Sequence, residues 1–259
     1  MMRFYFIILL MVFSCAVYAQ QDVFVNSGKI VFERRVNTFA VMDMFIRDSK
    51  IVPLDQRHSY LQQYKSNNRQ FWTDDFELYF DSVTTVYRPQ GLNNMSKVSY
   101  IGAVAYNNKV ISSLDSGRVM ALKQAFDHSF LIKDTIRKMR WKLTEETREI
   151  AGFQCRRANA LMSDSIYIVA YYAETIPARG GPESFNGLPG MILGVALPHQ
   201  HITIFAKSVN RQDVTADISR LRKQLPGEVI NRQQFKESMK KILYQFSLNV
   251  PWVQVFMDI

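Results

Sequence analysis

Cysteine is nearly absent: two residues in 259, Cys15 and Cys155. Cys15 lies inside an N-terminal processing segment, so the mature chain keeps Cys155 alone and cannot form an internal disulfide. Stability must then come from an ordinary apolar core. Histidine is scarce too, with only His58, His128, His199 and His201, which leaves few ways to assemble a nitrogen-rich metal site. The chain also lacks Gly-x-Ser-x-Gly, a phosphate loop, His-Glu-x-x-His and Cys-x-x-Cys, so none of the reactions those motifs announce is indicated.

What is present begins with an export signal. Arg3 forms a small positive n-region, Phe4 to Phe13 an apolar h-region, and Val17-Tyr18-Ala19 a cleavage site before Gln20. The apolar run falls short of the roughly 20 residues a membrane-spanning helix needs, and no stop-transfer pattern follows. Lipoprotein processing at Cys15 fits less well, because bulky Phe13 sits where such sites carry a smaller side chain. The expected product is an unacylated protein in the periplasm or at the outer-membrane periphery, with residues 1–19 removed and 20–259 forming one domain. Losing 1–19 from the 259 residues leaves 240 and takes one positive charge, Arg3, from the net +9.

Aromatic residues and methionine supply the core, with 18 Phe, 12 Tyr, 3 Trp and 12 Met. The basic excess is scattered through Arg34-Arg35, Arg137-Lys138-Arg140, Arg156-Arg157, Arg220-Arg222-Lys223 and Lys240-Lys241. A nucleic-acid binder would gather such charge on one face of a recognisable module, so no nucleic acid is expected. A diffuse positive surface facing an anionic envelope is the plainer reading.

Hydrophobic alternation predicts strands at Gly28–Val36, Phe71–Phe80, Val83–Tyr87, Val98–Tyr106, Arg118–Ala125, Phe130–Asp134, Met139–Thr147, Phe153–Leu161, Ile166–Ala173, Met191–Leu197 and Ile202–Val209. Helical spacing occupies 41–66 in two pieces split by Pro53. It returns after Asn231, where Phe235, Met239, Ile242, Leu243 and Phe246 recur, and the tail Val250–Phe256 is apolar. Many short strands with little room for crossover helices predict a mainly β fold. The expected form is a curved antiparallel sheet or half-barrel, with helical segments near both ends on its apolar face. Along Phe153–Leu161 the buried face switches near Arg156-Arg157, which predicts a bulge or bend there.

The most distinctive stretch is Phe185-Asn186-Gly187-Leu188-Pro189-Gly190-Met191-Ile192-Leu193-Gly194-Val195. Leu188–Met191 reads as a type II turn with Gly190 at positive φ. Met191 to Leu197 contains nothing polar, as expected of a strand covered on both faces. With Ile176-Pro177 and Gly181-Pro182, this resembles the signature of the GLPGLI family of Bacteroidota envelope proteins, with Met191 where the family has Leu. Trp141 and the Ile150-Ala151-Gly152-Phe153-Gln154-Cys155 hairpin resemble the family too. Ala170-Tyr171-Tyr172 stands where the family has a Trp-Tyr-Thr segment. The resemblance is close over about 130–200, loose over 28–129 and positional after 210. It implies architecture, with Trp141, Gly152, Cys155, Ile176, Pro177, Gly181, Pro182, Gly187, Leu188, Pro189, Gly190, Met191 and Ile192 as structural motif residues. It implies no catalytic residue, metal or cofactor.

Four constellations invite chemistry. On a strand, His199 and His201 would put both imidazoles on one face, but no third ligand is close in sequence. Asp74, Asp75 and Glu77 could pair for hydrolysis, yet a solvated sheet face accounts for them. Ser238-Met239-Lys240-Lys241 matches Ser-x-x-Lys without its companion motifs. Arg179-Gly180-Gly181 could form an anion nest, although a flexible loop explains it as well. Cys155 has core-facing neighbours, where a thiol behaves as a small hydrophobe. The expectation is a non-enzymatic envelope module that binds an apolar ligand, a lipid or a protein partner, or an accessory of an outer-membrane protein complex. The alternative is a metal-dependent hydrolase using His199 and His201.

Overall fold

The computed structural model describes residues 24–48, 52–91, 108–125, 128–163, 165–223 and 225–245. The expected leader, the strand expected at Val98–Tyr106, Phe246 and the apolar tail lie outside them.

The described chain is mainly β: one open sheet of twelve strands with a few helices. In chain order these are β1 (Gly28–Asn37), α1 (Thr38–Asp48), a 3-10 turn (Leu54–Gln56), α2 (Arg57–Asn67), β2 (Phe71–Phe80), β3 (Thr84–Pro89) and β4 (Lys109–Ser113). Next come β5 (Arg118–Ala125), β6 (His128–Thr135), β7 (Lys142–Ile150), β8 (Phe153–Met162), β9 (Ile166–Ala173) and β10 (Met191–Leu197). A 3-10 turn (Pro198–Gln200), β11 (Ile202–Arg211), α3 (Thr215–Arg222), β12 (Glu228–Ile230) and α4 (Arg232–Gln245) complete it. The order across the sheet is β12-β6-β5-β4-β3-β2-β1-β11-β10-β9-β8-β7. Every pairing is antiparallel except β12 with β6.

Alternation drives the central strands. Ile30, Phe32 and Val36 of β1 share the core face with Phe76, Leu78 and Phe80 of β2, and all are buried. Val41, Met42, Phe45 and Ile46 of α1 join that core, as do Phe235, Met239 and Leu243 of α4. The opposite face carries a second cluster of Tyr79, Val86 and Ile111 beneath Val214 and the α3 residues Ile218 and Leu221. Both β4 and α3 escape sequence reading. β4 is short and carries Lys109, Ser112 and Ser113, while α3 presents only two apolar anchors.

Local chemistry fixes the ends. Ala151 and Gly152, at φ 51° and 82°, form the two-residue turn between β7 and β8, as a type I′ turn requires. At the start of α4, Asn231 Oδ1 accepts from the Gln234 amide while Gln234 Oε1 accepts from the Asn231 amide, a reciprocal capping box. The face switch in β8 is present, since Cys155, Ala158 and Ala160 are all buried, but β8 itself stays in register with β9. The irregularity sits opposite, in β7 between Leu143 and Thr147.

The strand directions gather the β2–β3 and β4–β5 turns, the end of β6 and the start of β10 at one end of the sheet. The pair α1–α2 follows the opposite end of β1. Among the described residues no helix is long and apolar enough to cross a membrane.

Candidate functional site

Residues 174–190 link two adjacent antiparallel strands, β9 and β10, by a far longer path than pairing needs. The segment folds inward. Ile176, Ala178, Phe185 and Leu188 are buried in the main core, while Pro177, Arg179, Gly187 and Pro189 face outward. Backbone bonds lock it to the sheet: Met191 N donates to Ile176 O, Ile192 N to Gly180 O, and Gly187 N to Arg179 O. The indole of Trp141 donates to Asn186 O at 2.9 Å, joining the start of β7 to the motif.

The type II turn is not formed. Gly190 has no positive φ, and the Met191 amide is taken by Ile176 rather than by Leu188. Glycine is required at 190 because a Cβ would collide with the Ala173 carbonyl. The positive φ belongs to Gly187, at 89°. Gly181 is packed so that a Cβ would lie 2.8 Å from Ile192 Cβ, and Pro182 O accepts from the Phe185 amide. Arg179-Gly180-Gly181 is thus a packed segment with an outward arginine, rather than a flexible loop.

Inside the loop sits a buried charged centre. Glu183 is 3 % exposed and adopts φ 51°, a left-handed conformation unusual for a side chain with a Cβ. Its carboxylate accepts from Asn108 Nδ2 at 3.0 Å and lies 3.8 Å from Arg34 Nη1. Arg34 also faces its register partner Asp74, at 3.5 Å, and its guanidinium stands 4.5 Å from the Phe76 ring centre. Phe76 stacks on Tyr87 at 4.9 Å, and the buried Tyr87 hydroxyl has no hydrogen-bond partner among the described residues. Burial raises the Glu183 pKa, against the opposing charges of Arg34 and Lys123 and the Asn108 bond. Burial also pushes the Tyr87 phenol well above its usual range, helped by Glu183.

Sequence reading missed this centre. In the sequence Arg34 is one of the scattered basic residues, and Glu183 belongs to no motif. The available signal was Glu183 as the lone carboxylate between Thr175 and Met191.

The remaining candidates are dispersed. Asp74, Asp75 and Glu77 do not converge, and the solvated-face reading fails for Glu77. It is buried under the second cluster's side of the sheet, 2.6 Å from Lys29 Nζ and 3.5 Å from Arg88 Nε. Asp75 pairs with Lys207 at 2.9 Å. His199 and His201 are not strand neighbours: His199 lies in the 3-10 turn and His201 caps it at φ 57°, both exposed. Among the described residues no three His, Cys, Asp or Glu side chains group to hold a metal. Ser238 and Lys241 lie on α4. Cys155 is fully buried, and burial pushes its thiol up to about 12.

Two open clefts cross the turn end of the sheet. One, of about 870 Å³, has the outward side of the motif loop as a wall: Pro177, Arg179, Asn186 and Gly187 face Arg137, Lys138 and Arg232. The other, of about 1030 Å³, is bordered by Arg118, Lys133 and Arg222. Thr135 lines both. Charge that looks diffuse in sequence is therefore gathered here, from β5, β6, the link after β6, α3, α4 and the motif loop.

Residues 160–194, from the end of β8 through the motif loop into β10, match a Bacteroidota-type family described as proteins of unknown function (Porph_ging). No curated protein is detectably similar to the sequence. Among solved structures, the fold is similar to PNGF-II in a C2 crystal form, with a TM-score of 0.51 at 15% identity over 83% of this chain and 33% of that one. A P21 form of PNGF-II gives 0.48 at 14% over 85% and 33%. The chain thus spans about a third of the PNGF-II length, and at such identity the likeness is one of fold alone.

Proposed function

We propose that this chain is an exported, non-enzymatic envelope protein of the GLPGLI type that works as a binding or assembly-accessory module through the outward side of its motif loop. Cleavage after Ala19 would deliver it to the periplasm or outer-membrane periphery without an acyl chain. The observation that carries the proposal is the two-sided loop. Its inner side fills the core face with Ile176, Phe185, Leu188 and the Glu183 centre, while its outer side walls an open cleft. A module built to swallow an apolar ligand would need that core face vacant. Here loop 174–190, α1 and α4 all contribute buried side chains to it, which favours a partner held outside.

Native mass spectrometry of the protein purified from its own envelope tests the proposal, with Lys138→Glu/Arg179→Glu as the comparison. The expected result is a mature chain starting at Gln20 that retains a ligand or partner, and a variant that loses it. A wild-type protein carrying no added mass, or one whose added mass survives the double variant, would overturn it.

A further inference from the structure

We infer that the two clefts form one trough for a ligand bearing clustered phosphates; this rests on the binding-module reading above. The clefts share Thr135 as a common wall and lie side by side at the turn end of the sheet. Around them Arg118, Lys133, Lys138, Arg179 and Arg222 have no ion-pair partner among the described residues. Two carboxylates are at hand. Asp134 is committed to Arg232, accepting its backbone amide at 3.0 Å, and Asp115 accepts from the Ser116 amide.

Several cations elsewhere are neutralised by carboxylates, and what marks the trough is that so many of its lining cations are not. Arg156 pairs with Glu174, Arg157 with Glu146, Lys207 with Asp75, and Arg88 with Glu77. Five cations along one trough without an ion pair among the described residues repel each other, and the described lining supplies only Asp115 and Asp134 to balance them. A single carboxylate ligand would leave most of that charge uncompensated. A terminal phosphomonoester carries close to two charges at neutral pH and a phosphodiester one, and both offer oxygens to the guanidinium fork, so clustered phosphates match the trough in the number of charges it can compensate. Leu114 and Ile136 also line the cleft beside the motif loop and give it an apolar part next to these cations.

Phosphates of this kind could come from a soluble polyphosphate or from lipid headgroups, and two probes separate the sources. Calorimetric titration with tripolyphosphate reads the soluble ligand. Sedimentation with phosphatidylcholine vesicles, with or without phosphatidylglycerol, reads the membrane. The variants are Lys138→Glu/Arg179→Glu for one cleft and Arg118→Glu/Arg222→Glu for the other. Lys65→Glu/Arg69→Glu, on and beside α2 beyond the opposite end of β1, makes the same charge change elsewhere.

Each cleft variant should weaken binding about tenfold or more, while the control stays within about twofold. Tripolyphosphate binding without vesicle binding assigns a soluble ligand, and binding confined to phosphatidylglycerol vesicles assigns the headgroup. No binding to either probe, or an equal loss in the control, overturns the inference. If the wild type still carries a cleft-dependent ligand in native mass spectrometry but binds neither probe, the phosphate assignment falls and the module stands. If the cleft variants alter neither measurement, both fall.

Discussion

The two sides of loop 174–190 are built by opposite rules. Its inner side has buried apolar anchors, a glycine set against the Ala173 carbonyl, and a buried glutamate in a strained backbone conformation held against Arg34. Its outer side has Pro177, Arg179, Gly187 and Pro189, of which Arg179 makes no ion pair among the described residues. Inner residues are over-determined by contact, whereas outer ones are exposed and, apart from the positive φ of Gly187, little constrained by packing. Motif identity is therefore a matter of folding on the inner side, and the proposed recognition rests on the outer side. The contrast can be broken by substitution from either side.

The largest effect is expected at Arg34. Replacing it with methionine keeps much of the volume but leaves Asp74 and Glu183 buried without their shared cation. Breaking a buried pair by removing one partner costs about 3–5 kcal/mol, because the charge left behind is uncompensated. Urea unfolding of Arg34→Met should show a loss of that size, whereas Arg179→Met should stay within about 0.5 kcal/mol. Equal effects would erase the distinction between the two sides.

Glycine substitutions sharpen the same contrast over three residues. Gly190→Ala drives a Cβ into backbone that cannot yield cheaply, and a loss of about 2–4 kcal/mol is expected. Gly187→Ala meets only Trp141 Nε1 at 3.8 Å, so its cost is that of forcing φ 89° on alanine, about 1 kcal/mol. Thermal melts should rank Gly190→Ala well below Gly187→Ala. The reverse ranking would restore a turn-based role for Gly190.

Much of the fold was legible because alternation and turn chemistry are local. The bounds of β2, β5, β9 and β10 follow the hydrophobic pattern to the residue, and Asn231 announces the capping of α4. Two things were not local. Arg34, Asp74, Asn108 and Glu183 come from four separate stretches: strand register pairs the first two, and the path of the motif loop brings in Glu183 beside Asn108. The cleft cations are likewise contributed by four elements and two connecting segments, and a sequence count of charge cannot distinguish them from paired arginines such as Arg156 and Arg157. The Leu188–Met191 turn misled for a related reason. Pro-Gly is a sound turn signal, but the amide it needed was claimed by Ile176 across the loop.

The smallest and most specific effect concerns pH. Burial raises Glu183 above its ordinary value of 4.5, despite Arg34, Lys123 and Asn108. The folded state then holds a proton that the unfolded state releases. Such a group contributes stability that is complete below about pH 4.5 and is lost as pH rises through the folded value, with a limiting slope of about 1.4 kcal/mol per pH unit. Other shifted groups act outside this interval. Glu146, held low by Arg157, and Asp213, held low by the Thr215 amide, lose their contribution only as pH falls below the usual carboxylate range. Cys155 matters only above its ordinary value of 9.0. Urea midpoints measured from about pH 5 to about pH 8 should therefore decline in the wild type. In Glu183→Gln, whose amide does not titrate and can still accept from Asn108, the decline should flatten. An identical slope in the two proteins would mean that the inner side of the loop carries no titrating group, and that the difference between its two faces is one of packing alone.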